Sequence, residues 1–167
     1  TVVAETQNDF QDIVFLKALE DDIRALMERA NALRLRLLAC IGEDAAAFAP
    51  LAKAYSIPKD DPARADTLER CLKDAAAPPM EIMELCAKAI DIVGEFARKG
   101  SRMVTSDAAT GAMILHGAMC AAAVNVRVNT KLMKDREYAS ELDDRVDHML
   151  SRYLPVAKSI YDGVMGD

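Results

Sequence analysis

From Leu16 onward the apolar positions Leu19, Ile23, Leu26, Ala30, Leu33, Leu37 and Cys40 recur alternately three and four apart, with Asp21, Asp22, Arg24, Glu28 and Arg34 between them. On an α-helix this spacing gathers one apolar face, so it predicts a long amphipathic helix packed along a bundle seam. The next seam positions are Asp44 and Phe48. If the helix continues through Gly42, a carboxylate points into the bundle. Ser56 to Pro62 (SIPKDDP) is a turn, because Pro58 and Pro62 bar helix continuation and Pro62 suits the first turn of a following helix. That helix is expected to run to about Ala76, where Pro78 and Pro79 separate it from another with the seam Ile82, Cys86, Ala89, Val93 and Phe96. Arg98 and Lys99 followed by Gly100 read as its C-terminal stop. A loop from Gly100 to Thr105, an apolar helix, a charged segment from Lys131 to Arg136 and a last helix kinked by Pro155 complete the chain.

The stretch from Val104 to Thr130 is nearly charge-free and rich in small residues, yet it carries Asp107, Asn125 and Asn129. At about 100° per residue, Asp107, Gly111, Ala118, Ala122, Asn125 and Asn129 share one stripe, whereas Met113, His116 and Met119 point elsewhere. Such a stripe lets another backbone or a flat ligand approach closely. A straight helix holds Asp107 more than about two dozen ångströms from Asn125, so the two share one site within a subunit only if the helix breaks, whereas an antiparallel partner brings the ends together.

Composition agrees with an all-α fold. Half the 167 residues are hydrophobic (51%), which allows one domain, spanning 1–167, with a sizeable core. Ala, Leu, Met, Glu, Lys and Arg dominate, and about six helices are expected. The net charge of −6 argues against nucleic acid as a partner. Cys40, Cys71, Cys86 and Cys120 are widely spaced without a CxxC pair and read as reduced residues of a cytoplasmic protein. The apolar run from Gly111 to Val124 is shorter than the roughly 20 residues of a bilayer span, so no membrane segment is expected.

Asp107, or Ser106 beside it, reads as a helix N-cap, where a side-chain oxygen accepts an orphan backbone N–H and the dipole favours negative charge. Asn125 and Asn129, framed by Val124, Val126 and Val128, suit either a register-fixing interhelix hydrogen bond or a ligand contact. Arg127 is an exit to solvent or an anion-binding group. His116 and Cys120 share a helix face as two metal ligands would, but no third ligand is evident. Asp143, Asp144, Asp147 and His148 read as a solvated charged face, so no metal is expected. No GxSxG, HExxH, Walker or GxGxxG pattern occurs.

Taken in order, Ala32-Leu33-Arg34 through Leu37-Leu38, Gly42-Glu43-Asp44-Ala45-Ala46-Ala47-Phe48, Tyr55 with Pro58-Lys59, Pro79-Met80-Glu81-Ile82 to Glu84-Leu85-Cys86, Ser106-Asp107-Ala108 and Asn125-Val126-Arg127-Val128-Asn129 resemble the cyclodeaminase and methenyltetrahydrofolate cyclohydrolase family. The resemblance covers somewhat over half the chain. It implies an all-helical, homodimeric domain acting on one-carbon units of tetrahydrofolate, with the folate as substrate and no cofactor. The family's Gly-rich segment ahead of the first long helix has no counterpart at Thr1-Val2-Val3, and this sequence is expected to lack it.

Both family reactions pass through a cationic, amidine-like carbon. They need no nucleophilic side chain, but they gain from a carboxylate that stabilises charge and relays protons and from amides that hold the flat pterin. Asp107 and Asp44 are the acid/base candidates, and Asn125 and Asn129 the ring-orienting ones. Arg127, Lys131 and Lys134 are candidates for the glutamate carboxylates. A noncatalytic helical bundle serving assembly or ligand binding is the alternative.

Overall fold

The computed structural model describes residues 2–100 and 104–166, with side chains from residue 16. Within these the chain forms four helices and no strand: α1 (Val2–Ala54), α2 (Arg64–Lys99), α3 (Thr105–Thr130) and α4 (Arg136–Met165). Of the expected loop from Gly100 to Thr105, residues 101–103 lie outside the described residues, as does Thr1. The all-α expectation holds, but four helices replace six.

The difference lies at the prolines. Gly42 and Pro50 sit inside α1, Pro155 inside α4, and α2 runs unbroken through Pro78 and Pro79, both buried. An interior proline removes one i→i−4 bond and costs about 3 kcal/mol. Here the rings lie among the core side chains, and burial of the flanking Ala75, Ala76, Met80 and Met83 holds the helix across the gap. Asn129 of α3 supplies a substitute bond. Its Nδ2 donates at 3.4 Å to the carbonyl of Ala75, the acceptor four residues before Pro79 that the missing N–H would otherwise have served.

Helix α2 is the central element. It packs against α1, α3 and α4, while α3 also packs against α4. The core is built from Met83, Cys86 and Ile90 of α2, Ala112, Met119 and Val126 of α3, Ala139, Val146 and Ala157 of α4, and Leu51 and Ala54 from the end of α1. The small-residue stripe of α3 is used inside the chain: a side chain at Gly111 would stand 3.9 Å from Val93 of α2, and Ala122 is buried. At 26 residues α3 is longer than the apolar run suggests. By length and composition alone it would be long and apolar enough to cross a bilayer, a test that a core helix also passes, and part of it is buried between α2 and α4.

The α1 seam is buried only in part. Leu26 and Cys40 are fully covered, Leu19, Ile23, Ala30, Leu33 and Leu37 are half-buried, and Leu16 is exposed. Asp44 and Phe48 are also exposed, so the expected inward carboxylate is not observed. The reason is geometric: α1 rests on α2 while α3 and α4 close the core on the other side.

Gly100 ends α2 as expected, with its N–H on the Phe96 carbonyl at 2.8 Å. Its backbone is extended rather than left-handed (φ −73°). Crowding explains the glycine, since a Cβ there would meet Val104 Cγ2 at 2.5 Å and the Phe96 carbonyl at 2.6 Å. The charged segment after α3 includes an N-cap for α4: Asp135 accepts from the Tyr138 N–H at 3.1 Å and pairs with Lys73 of α2 at 2.6 Å.

Candidate functional site

An apolar trough runs along α2 between α1 and α3. One stretch, about 650 Å³, is lined chiefly by Leu16, Leu19, Ile23, Val93, Phe96 and Val104, with Glu20, Lys99 and Asp107 supplying charge. The next, about 390 Å³, lies between Leu33, Leu37, Leu38 and Ile41 of α1, Ile92 of α2 and Leu115 of α3. Leu38 and Ile41 remain 52% and 68% exposed, and Met113 and Ile114 extend the apolar surface on α3.

Interhelix contacts set the register of the candidate residues. Cys40 lies beside Glu81 across the antiparallel α1–α2 pair, which puts Asp44, one turn on, near Pro78. Asn129 lies beside Ala75 across the α2–α3 pair, which puts Asn125, one turn back, near Pro79. Asp44 and Asn125, both exposed, therefore stand at one level of α2 on two different helices. Gly111 faces Val93, so Asp107 lies near Ala97, about 28 Å away along α2 at 1.5 Å per residue. The two candidate carboxylates do not meet within one chain.

Neither Ser106 nor Asp107 is the cap of α3. The N-cap is Val104, without a side-chain cap bond; Asp107 is exposed in the first turn, where the helix dipole favours its charge, and the Ser106 carbonyl accepts from the Thr110 hydroxyl at 2.9 Å. That end of the dipole faces the trough.

The remaining candidates divide into engaged and free groups. Asn129 donates to the carbonyls of Asn125 (2.9 Å) and Ala75, the register-fixing role that its sequence context allowed. Arg127 pairs with Asp147 of α4. Lys131 is exposed. Lys134 lines a cleft with Tyr55, Lys59 and Arg64, a grouping that non-local packing creates. Asp143 accepts from the buried Thr130 hydroxyl at 2.8 Å, and Asp144 and His148 are exposed.

Among the described residues one group has metal-ligand spacing: Cys40 Sγ and carboxylate oxygens of Glu43 and Glu81 lie within 4.8 Å of one another. It already holds a cation. Arg36 donates to both Glu43 oxygens at 2.6 and 2.7 Å and to both Glu81 oxygens at 2.6 and 2.5 Å. The pairing holds the Glu43 carboxyl below its ordinary range and the guanidinium more firmly charged, while burial raises the Cys40 thiol. We read this cluster as a clamp between α1 and α2. Sequence reasoning missed it because Glu81 is distant in the chain, although Arg36 and Glu43, two turns apart on one face, were a local signal.

An all-helical domain with an apolar trough and carboxylate and amide groups exposed at intervals along it defines a small-ligand or assembly bundle. Residues 14–148 match the family model described as formiminotransferase-cyclodeaminase, and the chain belongs to that family. It is 31% identical over 150 residues to a methenyltetrahydrofolate cyclohydrolase of Methylorubrum extorquens, spanning 87% of this chain and 72% of the relative. It is 28% identical over 148 residues to the formimidoyltransferase-cyclodeaminase of Sus scrofa, spanning 86% of this chain but only 27% of that longer protein. The fold matches a crystal structure of formiminotetrahydrofolate cyclodeaminase from Thermotoga maritima with a TM-score of 0.67 at 23% identity, over 81% of this chain and 67% of the other. Membership places the chain among folate cyclodeaminases and cyclohydrolases.

Proposed function

We propose that this protein hydrolyses the one-carbon bridge of methenyltetrahydrofolate. The observation that carries the reading is the placement of Asp44 and Asn125 at one level of α2, on motifs belonging to the matched family region. The cyclohydrolase reaction takes precedence over cyclodeamination because the cyclohydrolase relative is matched over most of its own length.

In this reading Asp44 acts as general base, taking a proton from the water that attacks the cationic methenyl carbon. The tetrahedral centre then collapses: one carbon–nitrogen bond breaks, a proton passes to the departing nitrogen, and the carbon remains as a formyl group on the other. Asn125 orients the pterin through its amide. Asp107 balances the positive charge of the bridge from the neighbouring subunit, since the 28 Å separation of about 19 helical residues prevents it from doing so within its own. A homodimer follows, with Leu38, Ile41, Met113 and Ile114 at or near the contact, because monomers seldom leave such apolar faces uncovered. No metal takes part, and we place the protein in the cytoplasm.

The test is the decay of the methenyl chromophore with protein against a blank, run beside ammonia release from the formimidoyl compound. Acceleration of the first supports the proposal. Acceleration of the second alone makes the protein a cyclodeaminase, and neither, in a folded sample, leaves a noncatalytic bundle. Sedimentation as a monomer at micromolar concentration would remove the shared site.

A further inference from the structure

Between the buried residues Cys40 and Leu51, helix α1 leaves the core. Residues 41–50 are all exposed except the half-buried Ala47, so the turn that carries Asp44 gains almost nothing from packing. The backbone there is also weak as a helix, because Gly42 is the more flexible when unfolded and Pro50 removes one i→i−4 bond. Packing does not demand the glycine: a Cβ at Gly42 would meet nothing within 4 Å. Asp44 itself has no side-chain partner among the described residues.

One side chain ties this stretch to α2. Arg36, two turns before Glu43, donates to both oxygens of Glu43 at 2.6 and 2.7 Å and to both oxygens of Glu81 at 2.6 and 2.5 Å. A guanidinium is planar with donors along its edges, so two bidentate pairs fix its plane and the two carboxylates together. Glu43 immediately precedes Asp44, and Glu81 lies within one turn of Pro78 and Pro79, the level at which Asp44 and Asn125 stand. The three side chains are 36–48% exposed, and ion pairs so placed add little to global stability. Their effect is local, on the one stretch of α1 that the core does not hold.

We propose that Arg36 and Glu81 are positioning residues, acting through Glu43 to hold the Asp44 turn against α2 and keep that carboxylate level with Asn125. The inference rests on the proposed hydrolysis, with Asp44 as its base, and it also has a test that needs no turnover.

The experiment compares kcat and KM for methenyltetrahydrofolate in the native chain, Arg36→Gln, Arg36→Gln/Gly42→Ala and the control Arg145→Gln. The control breaks a different interhelix pair, Arg145 of α4 with Glu84 of α2 at 2.6 Å. A misplacement of about 1 Å costs on the order of 100-fold in rate, so Arg36→Gln should lower kcat by about 10- to 100-fold with KM little changed. Alanine at position 42 stiffens the same helix where there is room for it, and should return much of the loss. Arg145→Gln should keep native kcat. Native kcat in folded Arg36→Gln, or an equal loss in Arg145→Gln, overturns the proposal. A loss that Gly42→Ala leaves untouched makes the effect of Arg36 one of charge and overturns it too.

If the native chain turns over neither folate, the proposed reaction has failed, and amide hydrogen exchange followed by mass spectrometry decides the clamp. Peptides covering 41–50 should exchange about tenfold faster in Arg36→Gln, the scale of one charge-assisted hydrogen bond, while those covering 82–93 stay native. Equal exchange at 41–50 in the two proteins overturns the proposal.

Discussion

Asn129 donates its side-chain amide to the Ala75 carbonyl, so a residue of α3 completes the hydrogen bonding of α2 where Pro79 interrupts it. A carbonyl left unsatisfied in a buried setting costs about 1–3 kcal/mol. Asn129→Leu should therefore lower stability by that order in urea unfolding, and Asn129→Asp, which sets a carboxylate against two carbonyls, should lower it further. In a Pro79→Ala background the restored N–H serves Ala75, and the Asn129→Leu penalty should shrink. Additive losses in this double-mutant cycle would show that the two positions are not coupled.

Asp44 and Asp107 lie too far apart to share one subunit's site. Asp107→Asn and Asp44→Asn should each lower kcat by about 10²–10⁴-fold, the usual effect of losing a positioned proton-transfer group. Thermal unfolding should stay near native, because Asp107 makes no cap bond and both residues are exposed. When the two inactive variants are mixed under exchange, hybrid dimers carry one site with both carboxylates intact, and activity should recover to about a quarter of native. No recovery despite proven exchange would place the two residues in separate roles.

Acid should unfold the protein through named pairs. Arg36 holds Glu43 below its ordinary 4.5, and Lys73, with the Tyr138 N–H, holds Asp135 below its ordinary 3.8. A carboxyl depressed in the folded state contributes stability that is complete above its unfolded value and is lost as pH falls through the folded one. The unfolding temperature should hold above about pH 5 and decline below it. Glu43→Gln and Asp135→Asn should each flatten that decline, measured by circular dichroism at fixed salt.

Burial pushes the Cys86 thiol up to about 11 from 9.0. Its neutral form stabilises the fold below pH 9, and that contribution is lost as pH rises from 9 toward 11. At pH 8 iodoacetamide should label the half-buried Cys120 of the native protein but spare Cys86 until denaturant is added. Peptide mapping after timed labelling reads the difference. Rapid native labelling of Cys86 would contradict its burial.

Local signals determined much of this molecule. The three-four spacing of apolar positions, the SIPKDDP turn and Arg98-Lys99-Gly100 each act within a few residues, and each marks a feature that the structure retains. The family motifs were legible for the same reason, being short runs in a fixed order. Local rules failed at Pro78-Pro79, where propensity demanded a break and burial of the neighbouring side chains, with the Asn129 amide, sustained the helix. They failed again at Asp44, whose periodicity pointed inward while α3 and α4 closed the core elsewhere. Tertiary packing alone decided that Glu81 would meet Arg36 and that Lys134 would join Lys59 and Arg64 across a cleft. Periodicity tells which face of a helix is apolar; which neighbour covers that face depends on contacts between residues far apart in the chain.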